Sequence, residues 1–415
     1  MYNTIFFLLL AIIIISFVFE KILDYLNLKH VFPELPAEVS DVFDAASYKK
    51  SQEYKSVNIR FSFIMSSFSL LLTLLMLFLG GFGWVNDLAF TVFNNYIAVA
   101  LLFFGILMLA SDILTTPFSV YDTFVIEEKF GFNKTTPKTF LFDKLKGWLL
   151  GAIIGGGLLS LIIWFFQLSG EYFWLFAWAV IGVFTILMTM FYSQLIVPLF
   201  NKQTLLEEGP LKEAIRHMSD KTGFKLDNVY VIDGSKRSTK ANAYFTGLGA
   251  KKRIVLYDTL INDLNIEEIV AVLAHEIGHY KKKHSLKGTV SGLFQAGLTL
   301  FLFSLFINNP SLSAALNVEE PNFHISLIAF GILYSPVSMV SGILTGFVSR
   351  RHEYQADRYA ADYSDTKDLI SALKKLSGKN LSNLTPHPVY VFFHYSHPTL
   401  LQRIKALAKL KDLAH

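Results

Sequence analysis

The chain has 415 residues, 53% of them hydrophobic, with 37 Lys and Arg against 33 Asp and Glu and no cysteine. That is too apolar for an ordinary soluble domain and too charged for a chain lying wholly in lipid. Zero cysteine excludes disulfides, thiolate ligands and cysteine nucleophiles together, so any metal is left to histidine and carboxylate.

Long apolar runs recur near residues 4–22, 61–80, 96–116, 147–167, 173–199, 288–307 and 325–348. Each approaches the twenty or so residues that a helix needs to cross the hydrocarbon. The first has no basic flank before it and no small-residue cleavage site after it, so it reads as an uncleaved span. With seven spans the connecting segments alternate strictly. Segments 1–3, 81–95, 168–172 and 308–324 carry no Lys or Arg, whereas Lys129, Lys134, Lys138, Lys144 and Lys146 crowd the segment between spans three and four. The positive-inside rule then puts the N-terminus outside and the C-terminus in the cytosol. The net charge of +4 reflects this topology and gives no reason to expect nucleic acid. Asp112, near the end of span three, is expected to line a cavity or to pair with a basic residue at the rim. The glycines Gly151, Gly155, Gly156, Gly157 and Gly182 suit close helix packing.

Segments 200–287 and 349–415 remain for the cytosol. The first reads as a small α/β unit. Leu211 to Thr222 is an amphipathic helix stopped by Gly223. Val229 to Asp233, Ala241 to Thr246 and Arg253 to Tyr257 read as strands, with the last two joined by a Gly247-Leu248-Gly249 turn. The expected fold class is therefore an α-helical multipass membrane protein of seven transmembrane helices with a small cytosolic α/β domain. The division falls into an N-terminal membrane region, 1–199, and a second domain, 200–415, that includes the last two spans.

Next in chain order comes His275-Glu276-Ile277-Gly278-His279, a His-Glu-x-x-His pentad preceded by helical apolar spacing at Ile269, Val270, Val272 and Leu273. On a helix, His275 and His279 share a face and can aim at one cation, and neutral imidazole suits Zn²⁺. Glu276 stands beside the pair, where a base can take a proton from water at the metal. The helix is expected to run on through Lys281, Lys282 and Lys283 towards span six. On such a continuous helix His284 would be rotated by about 140° from His279, out of reach of the metal.

A third ligand must come from the same side of the membrane, which rules out Glu319 and Glu320. Glu353 directly follows span seven, and Asp357 lies four residues on, along the same helical face. This pattern suits Glu353 as third ligand and Asp357 as the acceptor for a ligand histidine's outer N–H. Two exposed acids bonding Arg350 or Arg358 would give the same pattern. The longer metzincin motif is absent, since Lys282 and Ser285 stand where it needs Gly and His.

In combination the chain resembles the type I CAAX prenyl protease family, integral-membrane zinc metalloendopeptidases. The resemblance rests on the seven-span layout, the stretch Pro117 to Lys129, Gly131-Phe132-Asn133, Asn242 to Gly247, the pentad, Glu353 with Asp357, and Tyr395-Ser396-His397-Pro398. It implies one Zn²⁺ per chain on His275, His279 and Glu353, with Glu276 as general base and acid. By the same resemblance His397 would donate to the substrate carbonyl or its oxyanion, Arg403 would lie near the centre, and Asn242, Ala243, Tyr244 and Phe245 would bind substrate as an exposed strand. From the residues alone, His397 also reads as a helix-start histidine, Arg403 as a solvated arginine and Asn242 as a hairpin end. The resemblance further implies a peptide or protein substrate with a prenylated C-terminal CaaX sequence, contact with membrane lipid, and either a bacterial inner membrane or the endoplasmic reticulum. Two alternatives stay open: a membrane-protein quality-control protease with no prenyl requirement, and a non-catalytic scaffold or transporter with a structural zinc.

Overall fold

The computed structural model describes residues 2–30, 34–224, 229–247 and 253–412. The first half is helical: α1 (Thr4–Lys29), α2 (Ala45–Phe78), α3 (Gly81–Val92), α4 (Tyr96–Tyr121), α5 (Pro137–Leu150), α6 (Gly156–Ser169) and α7 (Phe173–Leu195). Wider π-turns extend α4 through Asp122–Glu127 and join α5 to α6 over Gly151–Gly155. Each start has a local cause. The Asn3 side chain accepts from the Phe6 amide, Asp44 from Ser47 and Asn95 from Ile97 and Ala98, satisfying amides that a helix leaves without partners.

Among the described residues, six continuous apolar stretches are long enough to cross a membrane, the fourth running from Pro137 to Leu199. That stretch is not one rod. At Gly170 the chain takes φ 53°, a conformation open to glycine, and α6 and α7 pack against each other on either side of it. Apolar residues pin the helices at the end free of Lys and Arg. Phe6, Leu9, Phe82, Val85, Phe103 and Leu316 form one buried cluster; Ile163, Phe173, Phe303 and Phe330 form another. Between those ends at most 17% of any apolar window is buried in protein. Side chains such as Ile153, Phe294 and Phe347 lie exposed, as suits lipid and not water. The pairing expected of Asp112 is present: its two oxygens lie 2.8 and 2.7 Å from Lys144 Nζ, and Trp148 Nε1 donates to it at 3.0 Å.

The second half begins with β1 (Gln203–Leu205), α8 (Pro210–Thr222), β2 (Val229–Ile232), β3 (Ala243–Thr246) and β4 (Arg253–Tyr257). Strand order is β1-β2-β4-β3, with β2 and β4 parallel and the two outer pairs antiparallel. The three expected strands are present, with the second shortened to start at Ala243; β1 was not anticipated. Of the expected hairpin turn, Leu248 and Gly249 lie outside the described residues. β3 ends the sheet.

The sheet and α8 pack on α9 (Ile266–Lys281) through Ile215, Met218, Ile254, Leu256, Ile269 and Leu273. α9 starts with a capping box: Asn265 Oδ1 accepts from the Glu268 amide at 2.8 Å, and Glu268 accepts from the Asn265 amide at 2.9 Å. It does not run through the lysines. Lys283 adopts φ 59°, and α10 (His284–Phe306) leaves from there in a new direction. The segment has no Gly or Pro to announce this break.

The chain ends in α11 (Phe323–Tyr363), α12 (Thr366–Lys379), α13 (Pro388–His394) and α14 (Leu400–Asp412). α11 is a single helix of 41 residues, so it continues well past the apolar window that ends near 348. Glu353 rides on this continuation.

Candidate metal centre and active site

Gly278 sets how closely the two halves of the site approach. A β-carbon there would lie 3.0 Å from Tyr359 Cβ and 3.1 Å from Ala356 Cα. The second variable position of the pentad is thus glycine because α11 crosses α9 at that point. The crossing brings Glu353 to the two histidines.

Their ligand atoms form a compact cluster. His275 Nε2 lies 3.1 Å from His279 Nε2; Glu353 Oε1 lies 3.2 Å from His279 Nε2, and Glu353 Oε2 lies 3.5 Å from His275 Nε2. Tetrahedral zinc with bonds of about 2.0–2.1 Å sets its ligand atoms about 3.3 Å apart. One atom of Glu353, Oε2, is buried without a hydrogen-bond donor, in a side chain only 5% exposed. A buried carboxylate oxygen left without a donor is costly, and a cation among these three side chains would satisfy it. The donor set therefore fits Zn²⁺, and among the described residues His275, His279 and Glu353 are the group able to hold a metal.

Behind His275, Asp357 Oδ1 lies 2.9 Å from Nδ1, which places the ring proton there and leaves Nε2 for a metal. Arg403 holds Asp357 in a two-point contact, Nε to Oδ2 at 2.9 Å and Nη2 to Oδ1 at 2.5 Å, and its side chain is 13% exposed. It is thus no solvated arginine, and Asp357 is no exposed acid. Burial by itself pushes the His275 imidazole down, but the Asp357 and Glu353 carboxylates outweigh it and raise the group to about 9.

Glu276, half-buried, lines a cavity of about 1020 Å³ together with His275, His279, Glu353, His397 and Arg403. His397 enters from the turn before α14, with Nε2 3.3 Å from Glu353 Oε1 and Nδ1 2.9 Å from Ser396 Oγ. One wall is strand β3 with the residue before it: Asn242, Ala243, Tyr244 and Phe245. The Asn242 side chain accepts from the Ala243 amide at 2.8 Å, and Phe245 packs against Phe224 and Tyr280. From the His275, His279 and Glu353 cluster the cavity continues between α10 and α11 past Ser291, Gln295 and Leu344. Every residue expected at the site thus lines this cavity or, in the case of Asp357, stands directly behind it.

Sequence reasoning missed the far side of His279. There His284, excluded as out of reach on a continuous helix, comes within hydrogen-bonding distance because the helix breaks at Lys283. It also missed a clasp between the membrane half and the loop entering β3. Lys240 Nζ lies 2.8 Å from Glu127 and 2.9 Å from Tyr54 Oη, and 4.4 Å above the Phe132 ring.

Residues 24–202 match the family described as "CAAX prenyl protease N-terminal, five membrane helices", and residues 205–411 match "Peptidase family M48". The CAAX prenyl protease 1 homolog of Arabidopsis thaliana is 36% identical across 95% of both chains, and CAAX prenyl protease 1 of Saccharomyces cerevisiae is 35% identical across 95% of this chain and 93% of the other. The chain belongs to the CAAX prenyl protease 1 family of M48 peptidases. The human CAAX prenyl protease 1 homolog is 33% identical, covering 91% of this chain and 89% of its own. The crystal structure of S. mikatae Ste24p superposes with a TM-score of 0.92 at 36% identity, covering 98% and 99% of the two chains. The resemblance read from the motifs and the multipass helical fold with its small sheet are thereby borne out. As an M48 peptidase of this family, the chain is a membrane metalloprotease and a hydrolase.

Proposed function

We propose that this protein is a zinc endopeptidase that removes the C-terminal tripeptide from prenylated CaaX substrates, with its centre on the cytosolic side. One observation carries the reading: a His-His-carboxylate cluster, with His275 and Glu353 buried and His279 partly so and one oxygen without a donor, stands at the head of a large cavity beside the end strand of a sheet. In this reading His275, His279 and Glu353 hold one Zn²⁺ per chain. Bound there, zinc supplies Lewis-acid polarisation of the scissile carbonyl and makes an attacking water easier to deprotonate.

The chain's own groups do the rest. The substrate lies along β3 as an added strand, held by main-chain hydrogen bonds that do not depend on its side chains. Glu276 takes the proton of the attacking water and hands it to the leaving amine. His397 Nε2 donates to the oxyanion as charge develops. Asp357, itself held by Arg403, keeps the His275 ring in place.

The proposal includes seven spans in place of six, with α6 and α7 counted separately, an outside N-terminus, and a division between residues 199 and 200. The Lys- and Arg-free segments at alternate ends support that orientation. In a eukaryotic cell the endoplasmic reticulum fits it. Supplying one CaaX peptide with and without a farnesyl thioether tests substrate choice. The farnesylated peptide should be cut between its cysteine and the next residue, with the plain peptide at least about tenfold slower, a difference of roughly 1.4 kcal/mol in transition-state binding. Equal cutting of both would favour quality-control proteolysis without a prenyl requirement.

A further inference from the structure

His279 presents Nε2 to His275 and Glu353, so its Nδ1 faces away from the metal position. That nitrogen lies 3.1 Å from Nδ1 of His284. On its other side His284 Nε2 lies 2.9 Å from Gln355 Oε1, and the ring stacks on His352 with centroids 4.0 Å apart and planes 10° from parallel. His284 is only 5% exposed.

These contacts fix a direction of hydrogen bonding. A histidine that gives Nε2 to a metal keeps its proton on Nδ1 and must donate from there. His284 Nδ1 can accept only if its own proton sits on Nε2. The Gln355 carbonyl, an acceptor, holds the proton there. The reverse arrangement would set two N–H groups against each other. The chain therefore runs His279 Nδ1–H to His284 Nδ1, and His284 Nε2–H to Gln355 Oε1. His275 has a carboxylate in the corresponding place, Asp357. Glu353, Gln355 and Asp357 are alternate residues of α11, so one helix supplies a ligand and the support behind both histidines.

We propose that His284 is the positioning residue for His279, fixing its tautomer and ring orientation, and that Gln355 sets the tautomer of His284. This rests on His279 being a metal ligand. The test is zinc release from the full-length, zinc-loaded protein into excess chelator, followed with a zinc indicator. His284→Phe keeps a ring against His352 but has no acceptor; His284→Asn loses the ring but places Oδ1 close to where Nδ1 stood. Release should be about 10–100-fold faster in His284→Phe and recover most of that loss in His284→Asn. Gln355→Leu should speed release and Gln355→Glu should not, and Gln355→Leu should add little on top of His284→Phe. Wild-type release from His284→Phe, or a slower His284→Phe than His284→Asn, would overturn the proposal and leave His284 a packing residue. His279→Ala is measured alongside. If it retains zinc, the metal-site reading itself fails; if it loses zinc while His284→Phe behaves as wild type, only the present proposal fails.

Discussion

Glu276→Gln is expected to slow peptide hydrolysis by on the order of 10³-fold or more while zinc content stays at the wild-type level. Glutamine matches the carboxylate in size but cannot accept the proton that the attacking water must lose. Glu276 is half-buried in the cavity wall next to His275 and lies outside the His275, His279 and Glu353 cluster, so the metal residues keep their geometry. Steady-state turnover of a quenched peptide, together with zinc per chain by elemental analysis, checks both halves. Loss of zinc in the variant would make Glu276 a structural residue, and retained activity would remove it as the base.

The second large effect is expected at His397. His397→Ala should lower kcat by roughly 10²-fold with KM and zinc content little changed. The side chain is 63% exposed, so little packing is lost, and Glu353 Oε1, which it approaches at 3.3 Å, keeps His279 Nε2 at 3.2 Å. A donor that acts only as negative charge develops contributes to the transition state and not to substrate binding, which is why the loss falls on kcat. A rise in KM at constant kcat would assign His397 to substrate binding. Loss of zinc would make it a support of Glu353.

How much of this was legible in the sequence depends on the range of the signal. The pentad is local, and its helix, its ligand spacing and the role of Glu276 follow from five residues and an apolar stripe. Glu353 and Asp357 were reachable because topology removed Glu319 and Glu320, and of the remaining acids after the pentad these two alone lie four residues apart. Helix ends were harder. α2 and α11 continue beyond the apolar windows because backbone bonding persists after a helix leaves lipid, and hydropathy sees only the part inside it. The break at Lys283 gave no warning, since an L-residue in the left-handed region is costly and lysine runs are good helix formers. That one unseen turn hid the contact of His284 with His279. β1 has three residues, too few to show a period, and its identity comes from pairing with β2 some 25 residues on. The Lys240 clasp joins residues that lie 113 and 186 positions apart, which no single-chain pattern marks.

The central claim is that two imidazoles of α9 and one carboxylate of α11 grip a single zinc. Zinc per chain in purified wild type and Glu353→Ala, with X-ray absorption at the zinc edge of the wild type, measures this directly. The account predicts about one zinc per wild-type chain, bound by two imidazole nitrogens with the remaining positions filled by oxygen, and loss of most of that zinc in Glu353→Ala. A Glu353→Ala protein that stays folded and keeps the wild-type zinc content would contradict it.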